Sequence, residues 1–124
     1  MYKIAIVDDA KDNREFLQYL LSQEYDVRSY ENGDEALRHF AEIIPDLVIL
    51  DIWLHGMGGV EVLKQVRRSE TLRNVPVIAL TADAMTGDRE KYLAAGFDGY
   101  VSKPIVDLDL FRADIRKFLP PPKQ

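Results

Sequence analysis

Residues 46–51 read Asp-Leu-Val-Ile-Leu-Asp, four apolar side chains bounded by carboxylates. A strand with one wet face alternates polar and apolar residues, whereas an unbroken apolar run is expected where helices cover both faces of a parallel sheet. Two more runs of this kind, Ile-Ala-Ile-Val at 4–7 and Val-Ile-Ala-Leu at 77–80, lie before and after it. Working outward, strands are predicted at Lys3 to Asp8, Asp26 to Tyr30, Asp46 to Asp51, Val75 to Thr81 and Gly99 to Ser102. The stretches between them have helical spacing. Asp12 followed by Glu15 reads as a capping box ahead of an inward face of Phe16, Leu17, Leu20 and Leu21. Asn32 or Gly33 opens a second helix, with Ala36, Leu37, Phe40, Ile43 and Ile44 inward and Pro45 as its stop. Val60, Leu63 and Val66 line a third. A fourth runs from about Thr86 to Ala95 with Gly96 as its cap, and a fifth follows Asp107 with Leu110, Phe111, Ile115 and Phe118 inward.

Five strand and helix pairs joined by right-handed crossovers leave few topologies. The expected fold is α/β, a flavodoxin-like (βα)5 doubly wound sandwich with a parallel five-stranded sheet in the order 2-1-3-4-5. The expected domain covers residues 1–119, with 120–124 as a proline-rich C-terminal tail.

The chain has 124 residues, enough for one core and too few for two. Apolar residues make up 47% and charged residues 30%, a balance that supports independent folding. A net charge of -5 opposes direct binding to nucleic acid. With no cysteine, thiolate metal sites, disulfides and cysteine nucleophiles are excluded. The lack of a signal peptide or long apolar run points to a cytoplasmic protein that does not enter a membrane.

In open α/β sheets, function collects at the carboxyl ends of the strands. Asp8, Asp9, Asp51, Thr81 and Lys103 stand there. Each alone has an ordinary structural use, as a helix cap, a strand residue or a solvated loop charge. Together they are harder to explain so. Strands 1 and 3 are neighbours about 4.8 Å apart, so three carboxylates converge and would repel one another unless a hard divalent cation sat among them. Thr81 can donate a hydroxyl on the other side of Asp51, and the stem of Lys103 can bridge two strands to bring in an ammonium. Such a receptacle suits Mg²⁺ and an aspartyl phosphate.

IVDDAKDNRE at 6–15, LVILDIWLHGMGGVEVL at 47–63, VIALTADAM at 77–85 and GYVSKPI at 99–105 resemble, in order and spacing, the signatures of bacterial two-component response-regulator receiver domains. TADAM and GDREKYLAAGFDGYVSKPI look closest to stand-alone, cell-cycle-type receivers and to hybrid-kinase receivers. The resemblance implies that Asp51 is the phosphoacceptor, with Asp8, Asp9, Asp51 and the Trp53 carbonyl around Mg²⁺. It implies Thr81 as the switch hydroxyl, Tyr100 as the coupled aromatic and Lys103 as the phosphoryl-binding ammonium, with Lys103-Pro104 in the cis form. The implied partners are a histidine kinase or histidine phosphotransfer protein, then a downstream protein contacted through a phosphorylation-dependent surface, with a phosphorylation-dependent dimer as one arrangement. The domain would be no enzyme beyond catalysing its own Asp phosphorylation and dephosphorylation. Trp53 and Asp83 would flank the approach of hydrolytic water, with the Trp53 ring excluding it.

The loop after Asp51 departs from the family pattern, with Leu54-His55 where methionine and proline are common and Gly58 where an acidic or amide residue is common. A lone loop histidine is expected to be solvated, as is His39 on its polar helix face. Gly56, Gly58 and Gly59 lack the Gly-Lys-Ser/Thr tripeptide of a nucleotide-binding loop. Three other functions are weaker. A flavin carrier needs a neutral phosphate loop after strand 1, where Asp8-Asp9 would repel the anion. An aspartyl-phosphate phosphatase resembles an Asp-x-Asp motif that Asp8-Asp9-Ala10 lacks. A bare interaction module has no use for the complete acidic, hydroxyl and ammonium set.

Overall fold

In a computed structural model, which describes residues 1–82 and 87–121, strands and helices alternate throughout. They are β1 Lys3–Val7, α1 Lys11–Leu21, β2 Asp26–Tyr30, α2 Gly33–Glu42, β3 Leu47–Asp51, α3 Gly59–Arg68, β4 Val77–Thr81, α4 Asp88–Ala95, β5 Gly99–Ser102 and α5 Leu108–Phe118. All four strand pairings are parallel, and the order is β2-β1-β3-β4-β5, as the sequence predicts.

Alternation along the strands divides the apolar residues into two cores. Ile4, Ile6, Leu47, Ile49, Ile78 and Leu80 pack with Leu17 and Leu21 of α1 and Phe111 and Ile115 of α5. Ala5, Val7, Val48, Leu50, Val77 and Ala79 pack on the other face with Phe40 of α2, Val62 and Leu63 of α3 and Tyr92 of α4. The apolar runs are thus two interleaved half-patterns, one for each layer of helices. Parity carries into the site: Asp8 and Asp51 continue the α1/α5 set, whereas Thr81 continues the set facing α2, α3 and α4.

Several local expectations need correction. Helix α1 starts at Lys11 with Ala10 as its N-cap, so Asp12 lies in its first turn and does not cap it. The turn is instead fixed by Asp8, whose Oδ1 accepts from the Ala10 N–H at 2.9 Å. Asn32 does cap α2, accepting from Glu35 N–H at 2.8 Å, and Asp107 caps α5 by accepting from Leu110 N–H at 2.9 Å. Phe16, Ile43, Ile44 and Leu110 are exposed, not inward. Ile43 and Ile44 fall beyond the last turn of α2, where helical phase no longer applies. Helix α4 begins at Asp88; the predicted start at Thr86 lies outside the described residues, as does Asp83. Gly96 ends α4 at φ 117°, a left-handed conformation that glycine adopts without a Cβ penalty.

The far end of α3 is fastened by one side chain. Arg67 donates to the carbonyls of Arg73, Val75 and Gly96 and to Asp98 Oδ2, which also accepts from Val77 N–H. A planar guanidinium with five donors suits such a convergence of acceptors. At the near end, Gly59 brings α3 against the strand that carries Asp51. A Cβ there would collide with the Asp51 carbonyl oxygen and stand 2.8 Å from Ile52 Cα.

Candidate functional site: an acidic pocket at the strand ends

The sheet register places Val7 beside Leu50, and the chains leaving these strands deliver Asp8, Asp9 and Asp51 to one spot. Each carboxylate offers an oxygen lying within 4.8 Å of those of the other two. Asp8 has no exposure and Asp51 is 4% exposed, so two of the three charges are largely removed from water. Such placement is costly unless hydrogen bonds and opposite charge compensate.

Among the described residues, several groups supply this compensation. The Ala10 N–H and the Asn13 side-chain amide serve the two oxygens of Asp8, and Arg14 donates to the Asp8 carbonyl at 2.8 Å. Trp53 N–H donates to Asp51 Oδ1 at 3.0 Å. From the opposite side, Lys103 Nζ lies 3.0 Å from Asp51 Oδ2 and 3.1 Å from Asp8 Oδ2. The backbone aligns it, because Lys103 N–H donates to the Thr81 carbonyl at 2.8 Å at the end of the β4–β5 ladder. Burial pushes the Asp51 carboxyl above its ordinary value, aided by the Asp8 charge; the Trp53 and Lys103 hydrogen bonds oppose this only in part. For Lys103, burial alone would lower the ammonium pKa. Its bonds and attraction to Asp51 and Asp8 outweigh that and raise it, so the ammonium stays charged.

Thr81, fully buried, ends β4 one residue past the partner of Asp51. On the same side of the sheet Tyr100 pairs in register with Ala79, and its ring stacks on Tyr92 of α4 at 5.9 Å between centroids and 16° between planes. Tyr92 in turn meets Phe97 edge-on. The Lys103-Pro104 peptide is cis, as the sequence resemblance implies.

Sequence reading missed three members of this site. Asn13 and Arg14 have no distinctive spacing, and only the turn at Asp8 aims them back at it. His55, expected in solvent, has an exposed ring yet places Nδ1 2.5 Å from Asp9 Oδ2, and its N–H reaches the same oxygen at 3.2 Å. Trp53 is 61% exposed and borders a groove with Val60, Lys91 and Tyr92, so the indole is not the dry cover expected of it.

A parallel 2-1-3-4-5 sheet with a buried acidic cluster and a lysine at its carboxyl edge defines a class of signalling receiver. The match to known proteins agrees: residues 4–116 fit the response regulator receiver domain model, and the chain belongs to that family, whose domains act in two-component signalling. Among curated relatives, the polar-differentiation response regulator DivK of Brucella anthropi is 40% identical over 103 residues, covering 82% of this chain and 84% of that protein. Among solved structures, the chemotaxis protein CheY4 of Vibrio cholerae superposes with a TM-score of 0.88 at 26% identity, covering 96% of this chain and 99% of that one. The receiver domain of a Pseudomonas aeruginosa sensor histidine kinase, with a magnesium ion coordinated in its active site cleft, matches with a TM-score of 0.84 at 30% identity, covering 94% of this chain and 96% of that one.

Proposed function

We propose that Asp51 accepts a phosphoryl group from a phosphohistidine, on a histidine kinase or a histidine phosphotransfer protein, with Mg²⁺ held by Asp8, Asp9, Asp51 and the Trp53 carbonyl. One observation carries this reading: among the described residues, one ammonium, that of Lys103, faces two buried carboxylates with a third beside them. The cluster keeps an excess of negative charge and a set of hard oxygen donors, which fits a small divalent cation. The bound cation would supply charge neutralisation at phosphoryl oxygens.

Residues of the chain account for the remaining chemistry. An Asp51 carboxylate oxygen attacks phosphorus, the P–N bond breaks, and the donor imidazole leaves with the bonding electron pair. Trp53 N–H and Lys103 hold the Asp51 carboxylate in place beforehand, so little reorientation is needed at transfer. Lys103 then offsets the negative charge that the phosphoryl group adds at Asp51. Thr81 binds a phosphoryl oxygen through its hydroxyl. As Thr81 is drawn toward the site, Tyr100 shifts, and the stack with Tyr92 carries the change into α4.

Output is a protein contact on the surface of α4, β5 and α5, made with a downstream partner or a second phosphorylated copy and not with nucleic acid. The domain spans residues 1–119 and the tail 120–124, and the chain catalyses no reaction beyond its own phosphorylation and dephosphorylation. No helix among the described residues is long and apolar enough to cross a membrane, in keeping with action in the cytoplasm. The test is mass spectrometry after incubation with acetyl phosphate and Mg²⁺. One phosphoryl adduct is expected on Asp51 and none in Asp51→Asn; an adduct of equal yield in that variant sinks the assignment.

A further inference from the structure

Asp9 is the one carboxylate of the cluster that Lys103 does not reach; among the described residues, His55 faces it instead. The imidazole and the backbone N–H of the same residue converge on a single oxygen, Oδ2. An ionised carboxylate only accepts hydrogen bonds, so the ring nitrogen facing it carries the hydrogen. This contact is made in the loop between β3 and α3, where the sequence departs from the family pattern.

Resting on the reading of Asp9 as a cation ligand, we propose that the His55 side chain competes with the divalent cation for Asp9, so this chain binds Mg²⁺ more weakly than its carboxylates alone would allow. Two effects of the contact have opposite sign. Orienting a ligand strengthens a metal site, whereas withdrawing electron density from it and occupying its oxygen weakens the site. The backbone N–H of His55 already orients Asp9, and it persists whatever side chain stands at 55. What the ring adds is therefore mostly the weakening part. Its exposure matters too, because a ring standing in water can swing off Asp9 when a cation arrives. The cost is then the loss of one short contact with no rearrangement of the core. His55 is thus a positioning residue that sets the concentration of Mg²⁺ at which the site fills, without touching the phosphoryl group.

The experiment is Mg²⁺ titration of wild type, His55→Ala, His55→Phe and Asp9→Ala by Trp53 fluorescence, with calorimetry as a second readout. Tryptophan emission is specific here because the chain has one tryptophan, two residues from Asp51. Both His55 variants should bind Mg²⁺ about threefold or more tightly than wild type, the phenylalanine keeping ring size without a donor. Asp9→Ala should lose most affinity. If Asp9→Ala weakens binding while the His55 variants match or fall below wild type, the competition is refuted and the cation site stands. If Asp9→Ala binds as well as wild type, the assignment of Asp9 and the competition built on it both fall.

Discussion

Asp51 and Lys103 both contribute stability that declines as pH rises, each in its own pH window, and the causes follow from the site. The folded state holds the Asp51 proton more tightly than the unfolded chain does, because burial and Asp8 disfavour the anion. Stability is therefore highest below the unfolded carboxyl pKa and falls as pH rises through the raised folded value. Lys103 has the same sign in a higher window: its raised pKa contributes stability that is complete below the ordinary lysine value and lost only as pH climbs through the folded one. At neutral pH without Mg²⁺, Asp51→Asn should thus unfold no more easily than wild type in a denaturant titration. Lys103→Ala, which leaves Asp8 and Asp51 facing each other, should be less stable by about 1–3 kcal/mol, less than for a fully buried pair because Lys103 keeps some contact with water. Equal midpoints for Lys103→Ala and wild type would show that the two carboxylates do not depend on the ammonium.

At the scale of elements, α3 and α4 are each tied to the site by a different device. The Gly59 contact fixes the start of α3 against the Asp51 backbone, so Gly59→Ala should cost about 1–3 kcal/mol by overpacking, read as a lower melting temperature. Helix α4 is linked through Tyr92 and Tyr100. Thr81→Ala should still take up phosphate from a small donor, yet show a reduced change in amide exchange across α4 and β5; a change as large as in wild type would separate Thr81 from the switch. The elements themselves were readable in the sequence to differing degrees. The three inner strands were plain because covering both faces demands apolar residues at every position, and the spans of β2 and β5 match those predicted. Helix faces are less legible: the apolar spacing of α1 does not distinguish Leu17, which is buried against the sheet, from Phe16, which is exposed. The convergence of Asp8, Asp9, Asp51 and Lys103 is legible from their place at strand ends, but the pairing of His55 with Asp9 is not, since it depends on a loop path that no periodicity encodes.

Across the whole molecule, the cluster joins residues distant in the chain: Asp8 and Asp9 after β1, Asp51 at the end of β3 and Lys103 after β5. Filling it with Mg²⁺ should raise the melting temperature of wild type in proportion to the logarithm of cation concentration above its dissociation constant, and leave Asp9→Ala nearly unaffected. Differential scanning calorimetry at several Mg²⁺ concentrations checks this, and equal shifts in the two proteins would place the effect elsewhere. The same arrangement bears on time as well as on energy. The Lys103–Asp8 contact spans β3 and β4, which lie between β1 and β5, and a contact of such long sequence separation is expected to form late in folding. Contacts made after the folding barrier leave the rate of folding almost untouched and retard the reverse reaction. A cation held there would thereby brake unfolding: stopped-flow traces with Mg²⁺ should keep the refolding arm of the chevron and displace the unfolding arm to slower rates.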